Sequence, residues 1–196
     1  MSGDLKDLRD WMFRILMFEA DAERFRTAGI RVGADIKLIE YSLLEETLAP
    51  FPVDLRNEAL QCARLYALLY CFENSVRGLI KEKLQEKHGT DWWDKAVPDK
   101  VKKFAQQRQE DAEKETWLEG SKKELLGFAD FGHLADIVVE NWSEFEDLIP
   151  SQHWLKQRMD ELEKARNFIA HNRLLLPGEF ARIEMYVADW NRQVGL

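Results

Sequence analysis

Apolar residues recur every three or four positions along almost the whole chain, and no stretch alternates as a half-buried strand would. Leu8, Trp11, Met12, Ile15, Phe18, Ala22 and Phe25 share one face of a first helix, with Ser2 or Asp4 as its cap and an end before Gly29. A second helix over residues 35–48 turns Ile36, Ile39, Leu43 and Leu44 inward, and Ala49-Pro50-Phe51-Pro52 breaks it. A long central helix follows, capped by Asp54 and stopped by Gly89 after His88. It carries two apolar stripes, Ala59, Ala63, Tyr66, Tyr70, Ile80 and Leu84 on one, and Leu65, Leu69, Phe72, Val76 and Leu79 on the other. That breadth predicts burial over much of its girth. Glu73, Asn74 and Arg77 interrupt the first stripe. The i,i+4 spacing lets Glu73 pair with Arg77, either as a structural ion pair or as a second polar cluster turned toward a functional site.

Downstream, Asp91-Trp92-Trp93-Asp94 and Val97-Pro98 predict a connector whose tryptophans anchor the core or an interface rather than stack on bases. Residues 99–124 hold 14 charged side chains in 26, seven of each sign, which predicts a solvated helix without a net field for nucleic acid. Leu134, Ile137, Val138 and Trp142 mark a short amphipathic helix, followed by Phe145 and Leu148 and closed by Pro150. Ser151 is placed to cap the next helix, on which Leu155, Met159, Leu162, Arg166, Ile169 and Arg173 share a stripe. Pro177-Gly178 predicts a turn, and Phe180, Ile183, Val187, Trp190 and Val194 form the seam of a last helix. The expected fold is all-α: a helical bundle over residues 53–196 with an N-terminal helical extension over 1–52.

Composition sharpens this picture. With 196 residues, 45% of them hydrophobic and 33% charged, the chain can bury a core and solvate its surface. No apolar run approaches the roughly 20 residues that span a bilayer, and the start lacks the basic-then-apolar order of a signal peptide. A cytoplasmic protein without membrane contact is expected. Cys62 and Cys71 lie nine residues apart in one helix, on opposite faces, so they read as reduced, buried small hydrophobes. The net charge is −8, which argues against a non-specific nucleic-acid binder. Residues 151–196 carry seven basic against six acidic side chains, leaving 21 against 30 for the rest. RNA would therefore be gripped locally.

The chain offers little for metal or cofactor chemistry. His88, His133, His153 and His171 include no i,i+3 or i,i+4 pair, the cysteines do not cluster, and no Gly-rich phosphate loop occurs. Neither a metal nor a cofactor is expected. What remains is Arg166-Asn167-Phe168-Ile169-Ala170-His171, inside a segment patterned as a helix. Arg166 falls on the apolar stripe, where a charge needs a partner, a ligand or a dimer interface. Asn167 and His171 are helix neighbours, whereas Arg166 and His171 differ by about 140° around the axis. Either the helix bends near its end or the site wraps around it, as at a dimer interface. An imidazole can take the proton of a ribose 2′-hydroxyl or protonate a leaving 5′-oxygen. An arginine can hold the phosphate, and Asn167 can orient either group, with no metal required. The plainer alternative pairs Arg166 with an acid such as Glu73 and leaves His171 as a helix C-cap.

Arg-Asn-Phe-Ile-Ala-His-Asn at 166–172 resembles the signature of the HEPN superfamily, an Arg and a His separated by four to six residues, the first of them polar. Phe-Glu-Asn-Ser-Val-Arg-Gly-Leu-Ile at 72–80, Asp-Trp-Trp-Asp at 91–94 and Phe-Gly-His-Leu-Ala-Asp-Ile-Val at 131–138, with Asn141-Trp142, resemble one branch of it. That branch also occurs at the C-terminus of a PIN-containing RNA-surveillance endonuclease. The resemblance runs over about residues 54–195 and departs at Phe168, where that branch often has proline. It implies a HEPN-like helical bundle, a homodimer with facing motifs, and metal-independent endoribonuclease activity in a toxin or antiviral-defence role, with an antitoxin or regulatory protein as partner. Carried over by position, Arg166, Asn167 and His171 would be catalytic and Glu73, with Asn74 and Arg77 nearby, would support them. The alternative the family allows is a non-catalytic RNA- or nucleotide-binding or dimerisation module that regulates a partner.

Overall fold

The computed structural model describes residues 47–114 and 124–195, and among these every regular element is helical. The predicted first helix, and the second as far as residue 46, lie outside the described residues. The chain packs as two compact units, Met1–Asn57 and Glu58–Leu196. The break at 49–52 is a turn in which the Phe51 amide donates to Leu48 O at 3.0 Å.

The central helix α1 spans Val53–His88, so Asp54 lies in its first turn rather than capping it. It stops where expected, at Gly89 with φ 67°, a left-handed conformation that costs glycine least. A single stripe of α1 is buried: Leu65, Leu69, Phe72, Val76, Ile80 and Leu84. The breadth expected of it is not found. Ala59 and Ala63 are exposed, as are Tyr66 and Tyr70 at 57% and 55%. Both cysteines are free. Cys62 is half-buried and Cys71 is exposed, against the expectation that both are buried.

The expected connector is itself helical, a 3-10 turn at Gly89–Asp91 and then α2, Trp92–Ala96, with Trp92 buried in the core. Helix α3, Asp99–Lys114, buries only Val101 and Ala105 and is otherwise solvated, as its mixed charges predict. Helix α4 covers Phe131–Glu140, flanked by 3-10 turns at Leu125–Phe128 and Trp142–Glu144. Helix α5 covers Gln152–Ala170, and Ser151 Oγ accepts from the Trp154 amide at 3.1 Å as its cap.

Helix α6 spans Pro177–Val194. Pro177 therefore opens a helix instead of making a turn: proline at the first helical position loses no hydrogen bond, and the Glu179 carboxylate accepts from the Leu176 amide at 2.9 Å. The turn falls earlier, at residues 171–176.

Helices α1 and α6 run side by side in the same direction, since Arg64 meets Glu184 and Ser75 meets Trp190. Phe72 lies against Phe131 of α4 and Trp190 of α6, with ring centres 6.0 and 5.4 Å away. Leu155, Met159, Leu162 and Ile169 of α5 complete the core. Burying each such side chain stabilises the fold by roughly 1.5–3 kcal/mol, so this shared core holds the motif helix in place.

Candidate functional site

The motif lies on the last turn of α5, and the backbone there differs from the expectation. The helix ends at Ala170, so His171 is its C-cap rather than an interior residue. The His171 amide donates to Phe168 O at 3.3 Å and the Asn172 amide to Ile169 O at 2.9 Å, which closes the helix end. Asn172 has φ 56°, the left-handed geometry that asparagine tolerates after a helix. His171, Asn167 and Arg173 are exposed. Arg173 thus leaves the apolar stripe predicted for it, because the chain has already turned away from the core.

Arg166 takes the other side of the helix. It is half-buried, with its guanidinium carbon 6.0 Å from the centre of the Phe131 ring. Its Nε is buried and has no hydrogen-bond partner. No ion pair among the described residues includes it. The plainer alternative, a pair with Glu73, is therefore not formed, although its other half holds in that His171 is the C-cap.

Glu73 is taken by Arg77. Arg77 Nη2 donates to Glu73 Oε1 at 2.5 Å and to Ala129 O at 2.8 Å, and Nε donates to Leu126 O at 3.2 Å. Nη1 lies 3.4 Å from Asn74 Oδ1, and Asn74 Nδ2 donates to Tyr70 O at 2.8 Å. The Arg77 and Glu73 side chains are only 16% and 15% exposed. Each guanidinium nitrogen of Arg77 has an acceptor, so the cluster ties the 3-10 turn at Leu125–Phe128 to α1. It borders the same segment as Arg166, since Ala129 and Phe131 are two residues apart, but its donors are already engaged.

Two further contacts involve α4 and α5. Asp130 caps α4, its Oδ1 accepting from the His133 amide at 3.2 Å. The same oxygen lies 2.6 Å from His133 Nδ1, outside hydrogen-bonding geometry. Tyr186 of α6 donates to Glu161, further back on α5, at 2.6 Å. That hydrogen bond holds the Glu161 carboxyl below its ordinary range, while burial pushes the Tyr186 hydroxyl up.

A cleft of about 310 Å³ opens between the start of α1, the end of α5 and the start of α6. Leu65, Ile169, Leu174, Leu175 and Phe180 line it, and the Arg64–Glu184 pair at 2.6 Å sits on its rim. The turn after His171 forms one wall, yet none of Arg166, Asn167 and His171 lines it. Concavity alone does not point to the motif. Among the described residues no three His, Cys, Asp or Glu side chains group as a metal would require. No described helix is long and apolar enough to cross a membrane.

Among the described residues the unit is all-helical and carries an Arg-x4-His run at the end of α5, the arrangement the resemblance to HEPN domains leads one to expect. Residues 67–195 match the family model described as Swt1-like HEPN, and the chain belongs to that family. The family is in general one of nuclease and RNA-binding domains. No curated protein and no solved structure matches the chain.

Proposed function

We propose that this chain is a metal-independent endoribonuclease of HEPN type that cuts single-stranded RNA as a dimer with a composite site. One observation carries the reading. In a chain of this family, Arg166 has a buried Nε without a partner, and an exposed His171 stands at the end of the same helix. An unmatched guanidinium of this kind is costly to hold at the edge of the core, and no acceptor among the described residues competes with a phosphate for it. His171 takes the proton of a ribose 2′-hydroxyl as its oxygen attacks the adjacent phosphorus. A protonated imidazole gives a proton to the 5′-oxygen as the P–O5′ bond breaks. The products are a 2′,3′-cyclic phosphate and a 5′-hydroxyl. Arg166 stabilises the charge gathering on the phosphate, and Asn167 orients the imidazole. The offset of about 140° between Arg166 and His171 favours a site in which one copy supplies the histidine and its partner the arginine. Such an enzyme suits a toxin or antiviral effector held in check by a partner protein.

The test is cleavage of single-stranded RNA by purified full-length protein in excess EDTA, beside His171→Ala. A fall of about 10²–10⁴-fold in the variant is expected. The second reading, a non-catalytic module that binds RNA or regulates a partner, draws support from the net charge of −8. It predicts cleavage by neither protein.

A further inference from the structure

The turn that ends α5 also places a cation. With Asn172 in the left-handed region the chain reverses, and Arg173 folds back along the helix it has just left. Its guanidinium carbon lies 4.1 Å from the centre of the Phe168 ring. At about 100° per residue, His171 falls between Asn167 and Phe168 around the helix, roughly 40° from the first and 60° from the second. A guanidinium resting on Phe168 therefore shares the sector that holds His171 and Asn167. Arg166 lies outside that sector.

Arg173 is also available. It is exposed, and it joins no ion pair among the described residues. A guanidinium lying over a ring keeps its N–H edge open to other acceptors, and the ring limits the freedom it loses on binding. The setting needs such a group, because the C-terminal end of a helix carries partial negative charge that disfavours a phosphate. A fixed cation beside His171 offsets that charge.

We infer that Arg173, held on Phe168, is a phosphate-binding residue that works beside His171 within one chain and grips the backbone of single-stranded RNA at or next to the scissile bond. The inference rests on the endoribonuclease reading for the word scissile, and on geometry alone for the phosphate contact. Arg166 then meets the phosphate from the partner copy, so that two guanidinium groups flank it.

The experiment uses full-length protein in EDTA. It compares wild type, Arg173→Ala, Arg173→Lys, Phe168→Leu and His171→Ala. Binding of a 2′-deoxy oligonucleotide, which cannot be cut, is followed by fluorescence anisotropy across a salt series. Cleavage of the matching RNA is followed in parallel. Arg173→Ala should weaken binding about tenfold and lower the slope of log affinity against log salt by about one. Arg173→Lys and Phe168→Leu should each give part of that loss, because both undo one stacked pair.

Wild-type affinity and salt slope in Arg173→Ala, with cleavage abolished in His171→Ala, would overturn the inference and leave the endoribonuclease reading standing. Weakened binding in Arg173→Ala with cleavage unchanged in His171→Ala would do the reverse. Full affinity in Arg173→Lys and Phe168→Leu would remove the role given to the stacked pair. Failure of the wild type to bind the oligonucleotide would overturn the inference outright.

Discussion

Arg77 and Arg166 border the same short segment, residues 126–131, from two different helices, and they are opposites. Arg77 donates to two carbonyls and one carboxylate and is nearly buried. Arg166 lies against Phe131 with its Nε unmatched and no carboxylate beside it among the described residues. An arginine with every donor matched holds structure together. One left unmatched at the core's edge contributes far less to holding structure together. The comparison also separates the residues that the resemblance grouped. Glu73, Asn74 and Arg77 fasten a turn, whereas the side chains of Arg166, Asn167 and His171 join no hydrogen bond or ion pair among the described residues.

Exchanging the two roles by mutation is the sharpest way to break this comparison. Arg166→Gln should lower RNA cleavage by roughly 10²–10³-fold, as expected for loss of a transition-state charge donor, while stability shifts by no more than about 0.5 kcal/mol. Arg77→Ala should instead destabilise the fold by about 3 kcal/mol, because it strands the Glu73 carboxylate and two carbonyls. Urea unfolding read beside initial cleavage rates separates the two. A variant of Arg166 that unfolds as readily as the Arg77 variant would erase the distinction.

A smaller effect probes the helix end. Asn172→Val should cost about 1–2 kcal/mol, since a β-branched residue resists φ 56°, and Asn172→Gly should be close to neutral. Equal melting temperatures for the two variants would show that the turn does not need its left-handed residue.

The smallest is a pH effect away from the motif. The Glu161 carboxyl is held below its ordinary value of 4.5 mainly by the Tyr186 hydroxyl. A depressed carboxylate contributes stability that is present above pH 4.5 and is lost as the pH falls toward its lower folded value. Glu161→Gln should therefore lower stability in the neutral region and converge with wild type as the pH falls below 4.5, which flattens the acid limb of the melting profile. An acid limb identical to wild type would place the acid sensitivity elsewhere.

Much of the bundle was legible along the chain. Spacings of three and four marked α4, α5 and α6, Ser151 marked the start of α5, and Gly89 the end of α1, because each depends on interactions within one turn. The Glu73–Arg77 pair was legible for the same reason. Pro177 was misread as a turn because proline signals both a break and a helix start, and only the chain direction before it distinguishes them. The stripe through Tyr66 and Tyr70 was misread as core because helical period records which residues share a face but not whether another helix covers that face.

The candidate site divides along the same line. By itself the sequence determined the helical class, the family motif and the angular offset between Arg166 and His171, since all three follow from residue order and helical pitch. Only the tertiary structure decided that Glu73 serves Arg77 and leaves Arg166 without an acid. It also decided that α5 ends one residue before His171, and that Arg173 lies on Phe168 instead of in the core. These outcomes depend on which partners meet across the bundle and on a backbone reversal at Asn172, and neither is encoded in the spacing of residues along a single helix.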